Sequence, residues 1–245
     1  MDKRTDKKIA LLIDADNTQY SKLNLILKEL SKHGYLITKK AYGDWSDEKL
    51  KNWKTVLNEL AIQPVQQFSY TVGKNSSDIA LVIDAMDLLY SERFDSFAIV
   101  SSDSDFTRLA SRLRESSMFI FGVGKRTTPK SFKNACDDFI IIENLNDEVE
   151  SENDSKDSKP KMPNAKLKEV VSILKEAWEN NSLEDDEQWA YVSQSGSYIK
   201  KTYSDFDSRT YGAKSYTKLI QNLSEYFEIR KNKKGHYVFR YKMEL

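Results

Sequence analysis

Six short apolar runs, "IALLID", "YLITKKAY", "IQPVQQF", "FAIVSSD", "MFIFGVG" and "DFIIIEN", recur through roughly the first 145 residues, each bounded by polar positions. The segments between them carry apolar residues at helical spacing. In "YSKLNLILKELSKHG", for example, Leu23, Ile26, Leu27 and Leu30 share one face and Gly34 supplies the stop. Strands that alternate with helices return by crossover, which predicts an α/β, doubly wound, mostly parallel sheet with helices on both faces. Such a sheet places its sites at the carboxyl ends of the strands.

Carboxylates sit at those ends. Asp14 closes the first run, Asp103 and Asp105 follow "FAIV", and Asp78 lies at the start of the helical segment "SSDIALVIDAMDLLY". Four acids converging at one sheet edge repel one another unless a cation shares them, and oxygen donors of this kind suit Mg²⁺ or Mn²⁺. Carboxylate-held Mg²⁺ points to phosphate chemistry. Each acid also has an ordinary structural use: Asp78 as a helix-start residue, and Asp103 or Asp105 as a cap for the helix that follows. Asp84 and Asp87, six and nine residues beyond Asp78, are read as solvated or as lying behind the site. His33 closes a helix and His236 falls in a terminal hairpin, so neither is placed as an acid or base. The "GK" of Gly73 and Lys74 lacks the first P-loop glycine at the required spacing.

The single cysteine, Cys136, excludes an internal disulfide framework and a zinc ribbon, and is expected to pack as a small hydrophobe in a chain kept in a reducing compartment. Formal net charge is +0, so any nucleic-acid binding must come from a local patch. The opening "MDKRTDKKIALLID" is charged, then apolar for only about five residues, too few for a signal peptide or a membrane span. A cytoplasmic location is expected, with no membrane partner.

The motifs "LLIDADNTQ", "GKNSSDIALVIDAM" and "AIVSSDSDFTRLASRLRE" together resemble those of the NYN domain, a branch of the PIN-like nucleases that includes LabA-like proteins. The resemblance spans roughly residues 8 to 143. It implies a PIN-like fold and a metal-dependent ribonuclease in which Asp14, Asp78, Asp103 and Asp105 hold Mg²⁺ or Mn²⁺. Asn17 would orient water or phosphate, and Ser102 would support the metal shell on the RNA-facing side. Ala15 stands where family members often have Gly. Lys74, Lys125 and Arg126, in loops expected at the same rim, are candidates to meet RNA phosphates.

Residues 146–163, "NDEVESENDSKDSKPKMP", are almost devoid of apolar side chains and read as a flexible acidic linker between a domain at 1–145 and a second at 164–245. The second region ends in a predicted β-hairpin, with Phe227 and Ile229 on one arm, Tyr237, Phe239 and Tyr241 on the other, and the turn near Lys234 and Gly235. The stretch "VSQSGSYIKKTYSDFDSRTYGAKSYTKLIQNL" with the basic hairpin after it resembles the LOTUS domain, also called OST-HTH, a small winged helix. That resemblance implies RNA binding, and also offers a route to a homodimer or a protein partner. It places a recognition-like helix at residues 215–223 with Lys214 and Lys218, and Lys231, Lys233, Lys234 and Arg240 on the wing. Tyr198, Tyr203, Phe206 and Leu219 are expected in its core.

Two alternatives stand beside the ribonuclease. "LLIDADNT" also fits the first motif of haloacid dehalogenase-like phosphatases, with Asp14 as nucleophile and Asp16 as acid, although the later motifs match poorly. A non-catalytic RNA-binding adaptor, whose acids serve structure alone, is the other.

Overall fold

The computed structural model describes residues 7–68, 76–145, 162–182 and 188–242. Contacts divide the chain into two compact units, Met1–Asp147 and Glu148–Leu245. Nearly all of the stretch read as a linker lies outside the described residues.

The first unit runs β1 (Lys8–Asp14), α1 (Leu23–Ser31), β2 (Tyr35–Gly43), α2 (Trp53–Glu59), β3 (Gln63–Gln66), α3 (Ser76–Tyr90), β4 (Ser96–Val100), α4 (Thr107–Glu115), β5 (Phe119–Gly124), α5 (Lys130–Ala135) and β6 (Asp138–Ile141). Each of the six apolar runs is a strand, and all pair in parallel in the order β3-β2-β1-β4-β5-β6. Alternation within each strand feeds two cores. Ile9, Leu11 and Ile13 of β1 face α1 and α2, meeting Leu23, Ile26, Leu30, Trp53 and Leu57. Ala10 and Leu12 face the other way, onto Leu81 and Ala85 of α3, Leu109 and Leu113 of α4 and Phe132 of α5. Cys136 lies in this second core, its thiol against the Phe132 carbonyl at 3.3 Å, and burial holds it in the protonated form.

In this strand order β1 and β4 are the neighbours at which the connections diverge. The chain leaves β1 toward α1 on one face and leaves β4 toward α4 on the other, which opens a crevice at their carboxyl ends. Asp14 ends β1, and residues 101–105 follow β4.

The second unit runs α6 (Asn164–Glu179), β7 (Ala190–Tyr191), α7 (Val192–Thr202), α8 (Tyr216–Asn222), β8 (Phe227–Lys231) and β9 (Tyr237–Tyr241). Its strands form a three-stranded antiparallel sheet in the order β7-β9-β8, and the predicted hairpin is β8–β9. Phe206 and Leu219 are buried in its core, while Tyr198 and Tyr203 pack half-buried against it. No helix among the described residues is long and apolar enough to cross a membrane.

Gly124 shows how tightly the site end of the sheet is closed. A Cβ there would lie 2.6 Å from the Ser101 carbonyl oxygen and 2.7 Å from Thr128 Oγ1, and the first of these is backbone that cannot swing away. Gly124→Ala is therefore expected to cost about 1–3 kcal/mol by overpacking, read as a lower urea midpoint.

Candidate active site

Asp14 is a carboxylate at the end of a central strand, and only 1% of it is exposed. Desolvation raises its pKa, and the structure opposes that with hydrogen bonds to the charged form. Ser101 Oγ donates to Oδ2 at 2.6 Å and Asn17 Nδ2 donates to the same oxygen at 2.8 Å. The Asn17 backbone N–H adds a longer bond to Oδ1 at 3.3 Å. Ser101 also accepts the Asp103 N–H at 3.0 Å, so one buried hydroxyl ties the end of β1 to the acidic turn after β4. Thr18 closes the same junction through its hydroxyl to the Val100 carbonyl at 3.3 Å.

Asp103 Oδ1 accepts the Asp105 N–H at 2.9 Å and so caps the short 3-10 turn Ser104–Phe106 that leads into α4. Asp78 sits in the first turn of α3. Its pKa is pushed up to about 6, chiefly by burial and then by the negative charges of Asp14, Asp103, Asp16 and Asp105. The other three acids singled out in the sequence thus bear on Asp78 at the switch point, and Asp16 joins them. Ser77 Oγ donates to Asp16 Oδ2 at 3.0 Å, linking the start of α3 to the turn after β1. Asp84 is neither isolated nor simply solvated. Its Oδ2 receives Lys40 Nζ at 2.7 Å and the Tyr42 hydroxyl at 2.9 Å, which clamps α3 onto β2.

On the other side of the acids the loop after β5 is braced into place. Ser102 Oγ accepts the Lys125 N–H at 3.0 Å, and the Arg126 N–H points between both oxygens of Glu143 at 3.0 and 2.9 Å. The Arg126 guanidinium is engaged by Asn144 Oδ1 at 2.8 Å, and Lys133 Nζ reaches the Arg126 carbonyl at 3.0 Å. Lys125 is exposed on this rim. Lys74 lies outside the described residues. In the second unit Lys214, Lys218, Lys231, Lys233 and Lys234 are exposed. Arg240, in contrast, pairs with Glu228 at 2.8 Å and lies 4.9 Å from the centre of the Trp189 ring. Glu176 is gripped by the hydroxyls of Tyr203 at 2.5 Å and Tyr198 at 2.8 Å, which lowers its own pKa and pushes Tyr203 up to about 12.

The donors at the switch point are hard oxygens that repel one another, which is the chemistry a divalent cation relieves. Among the described residues, however, no three Asp, Glu, His or Cys side chains stand close enough to cage an ion directly. A divalent cation that keeps several of its waters and takes only one or two carboxylates from the protein would not need such a cage.

A parallel sheet of this order, with carboxylates massed in the crevice between β1 and β4, places the first unit among the PIN-like α/β domains. The model of the NYN domain matches residues 8–143, more than half of the chain, and the protein belongs to that family. The model of the OST-HTH/LOTUS domain matches residues 161–239. NYN domains are typically nucleases and generally use divalent metals, and OST-HTH/LOTUS domains point to RNA binding. Among solved structures, a protein of unknown function from Vibrio parahaemolyticus is similar over 58% of this chain and 96% of its own, at 21% identity and a TM-score of 0.49. No curated protein matches the chain.

Because folding raises the Asp78 pKa above 3.8, the folded chain binds that proton more tightly than the unfolded one. The associated stability is present at low pH and is lost as pH rises from 3.8 to about 6. Urea unfolding in a chelator should show this decline in the wild type. Asp78→Asn should flatten that part of the profile and be the more stable protein at pH 7.

Proposed function

We propose that the chain is a Mg²⁺- or Mn²⁺-dependent endoribonuclease, with a nuclease domain at 1–145, a flexible linker at 146–163 and an RNA-binding winged helix at 164–245. The observation that carries this reading is the gathering of Asp14, Asp16, Asp103 and Asp105 around Asp78 at the switch point, tied together through Ser101 and Ser77 and close enough for their charges to bear on Asp78. Asp14, Asp78, Asp103 and Asp105 would hold the cation, in part through water. A divalent ion there acidifies water and neutralises charge developing on phosphate oxygens. The protein's own groups do the rest. Ser101 and Asn17 fix the Asp14 carboxylate, the Asp84 clamp sets the depth at which Asp78 enters, and exposed Lys125 receives the RNA backbone. Membership of the NYN family displaces the haloacid dehalogenase alternative.

The absence of a ready-made group of three ligands among the described residues favours one second reading, a non-catalytic RNA-binding adaptor. Labelled single-stranded and structured RNA, incubated with and without Mn²⁺, separates the two. Under the nuclease reading, cleavage needs the ion and Asp103→Asn lowers it by more than about 100-fold while the fold persists. No cleavage, together with no Mn²⁺ binding by calorimetry, selects the adaptor.

Tethering the second unit raises the local concentration of RNA at the acids. A chain ended after residue 145 is expected to bind RNA roughly 100-fold more weakly yet keep metal-dependent cleavage, as read by filter binding and the same assay.

A further inference from the structure

The two flanks of the acidic crevice differ in chemistry. On the β5 flank stand Lys125 and the braced loop around Arg126. The β3 flank carries aromatic rings. Tyr20, in the 3-10 turn Tyr20–Lys22 just past Asn17, is 37% exposed, and Phe68, two residues beyond β3, is 55% exposed. Trp45 lies between them in the chain order of the strand ends, two residues beyond β2, and is half-buried.

Two of these rings, Trp45 and Tyr20, are packed in place. The Trp45 indole N–H donates to the Val65 carbonyl at 3.0 Å, and its backbone N–H donates to Gln66 Oε1, also at 3.0 Å. Gln66 is held in turn by Asp44 Oδ1 at 2.9 Å. Buried Trp53 forms a common floor, 5.9 Å from the Trp45 ring and 6.5 Å from the Tyr20 ring, centre to centre. The flank also abuts the acids. A Cβ on Gly43, the last residue of β2, would lie 3.3 Å from the Ala15 Cβ and 3.9 Å from Asp16 Oδ1, so the strand that leads to Trp45 is packed against the acidic turn. Of the other exposed apolar side chains in this unit, Ile79 follows Asp78 at the start of α3, whereas Tyr35 and Ile37 lie toward the start of β2 and Ile83 and Tyr90 further along α3.

Aromatic rings presented beside a phosphate-directed site suit one ligand chemistry, the flat face of an unpaired base. A base inside a duplex has both faces covered by its neighbours and cannot use them. We propose that Tyr20, Trp45 and Phe68 stack unpaired nucleobases on the β3 flank, so that RNA crosses the acids as a single strand with its backbone on Lys125 at the far side. The proposal rests on the nuclease reading and adds the substrate's form and the residues that select it.

The test uses the full chain as wild type, Tyr20→Ala, Phe68→Ala and the conservative Tyr20→Phe, with Mn²⁺ and three end-labelled probes: an unstructured RNA, the same strand with abasic ribose on either side of one bond, and a blunt duplex. Each alanine variant should lose roughly 10-fold in kcat/KM on the unstructured strand, while Tyr20→Phe retains wild-type values. All variants should cut the abasic strand alike, and the wild type should disfavour the duplex. Equal losses on the intact and abasic strands, or no loss on either, would overturn the proposal. If the wild type cuts nothing, the nuclease reading fails by itself. Fluorescence anisotropy with the same probes in chelator then decides the stacking. Discrimination between intact and abasic strands that shrinks in the alanine variants upholds it, and unchanged discrimination refutes it.

Discussion

A carboxylate buried at the end of a central parallel strand is the constraint around which the first unit is arranged. Asp14 cannot be hydrated from bulk, so its charge has to be answered locally, and the two side-chain donors come from different segments: Asn17 from its own turn and Ser101 from the end of β4. The hydroxyl is already committed to β4 through the Asp103 N–H, so stabilising Asp14 and placing Asp103 are one structural event. Hydrogen bonds of this kind to a charged group contribute about 1.5–3 kcal/mol each, enough to keep the acid in place and not enough to cancel the field of five carboxylates. At Asp78 burial first, and then the charges of the other acids, push the pKa up to about 6.

Topology explains why the acids meet at all. β1 sends its connection to one face of the sheet and β4 sends its own to the other, so the ends of these two adjacent strands are left uncovered. Asp78 then enters from a third direction, on a helix whose Leu81, Ala85 and Leu89 are buried in the second core. The Asp84 contacts with Lys40 and Tyr42 add a polar restraint about two turns along the same helix. Ser77 adds a second tie at the mouth, to Asp16.

How much of this was legible in the chain follows from the range of each interaction. The six strands could be read because buried parallel strands are continuous apolar runs, and their alternation with helical segments implied the crossovers. Asp14, Asp78, Asp103 and Asp105 could be read because charge at the end of an apolar run is locally anomalous. Ser101 could not, since "VSSD" offers two hydroxyls and only the three-dimensional closeness of β1 and β4 shows that the first serves Asp14 while the second, Ser102, braces Lys125. Asp84 was set aside for the same reason: spacing within its own helix says nothing about Lys40 and Tyr42, which come from β2. Asp16 carried a visible signal, a second acid at the strand end, which was read only as part of the phosphatase motif. Arg240 looked like one more basic residue of the wing, because the partners that occupy it, Glu228 and Trp189, are brought to it by sheet pairing and by a distant loop.

That last point shapes how the second unit can meet RNA. Each of its three arginines is already used within the fold: Arg209 on Asp207, Arg230 over Trp189 at 4.1 Å, and Arg240 between Glu228 and the same indole. The lysines at 214 and 218 beside α8 and at 231, 233 and 234 on the wing are exposed, and so are Arg209 and Arg230. Arginine offers a flat fork that can read a guanine edge or clasp a phosphate with two bonds, whereas a lysine is a hydrated point charge. Guanidinium groups engaged in this way are less available to a base edge, so RNA contacts made through the lysines would follow backbone charge, with affinity that falls steeply as salt rises. Under the proposed reading, discrimination among RNAs would rest with the crevice of the first unit, where rings on one flank and a cation on the other would distinguish an open strand from a paired one.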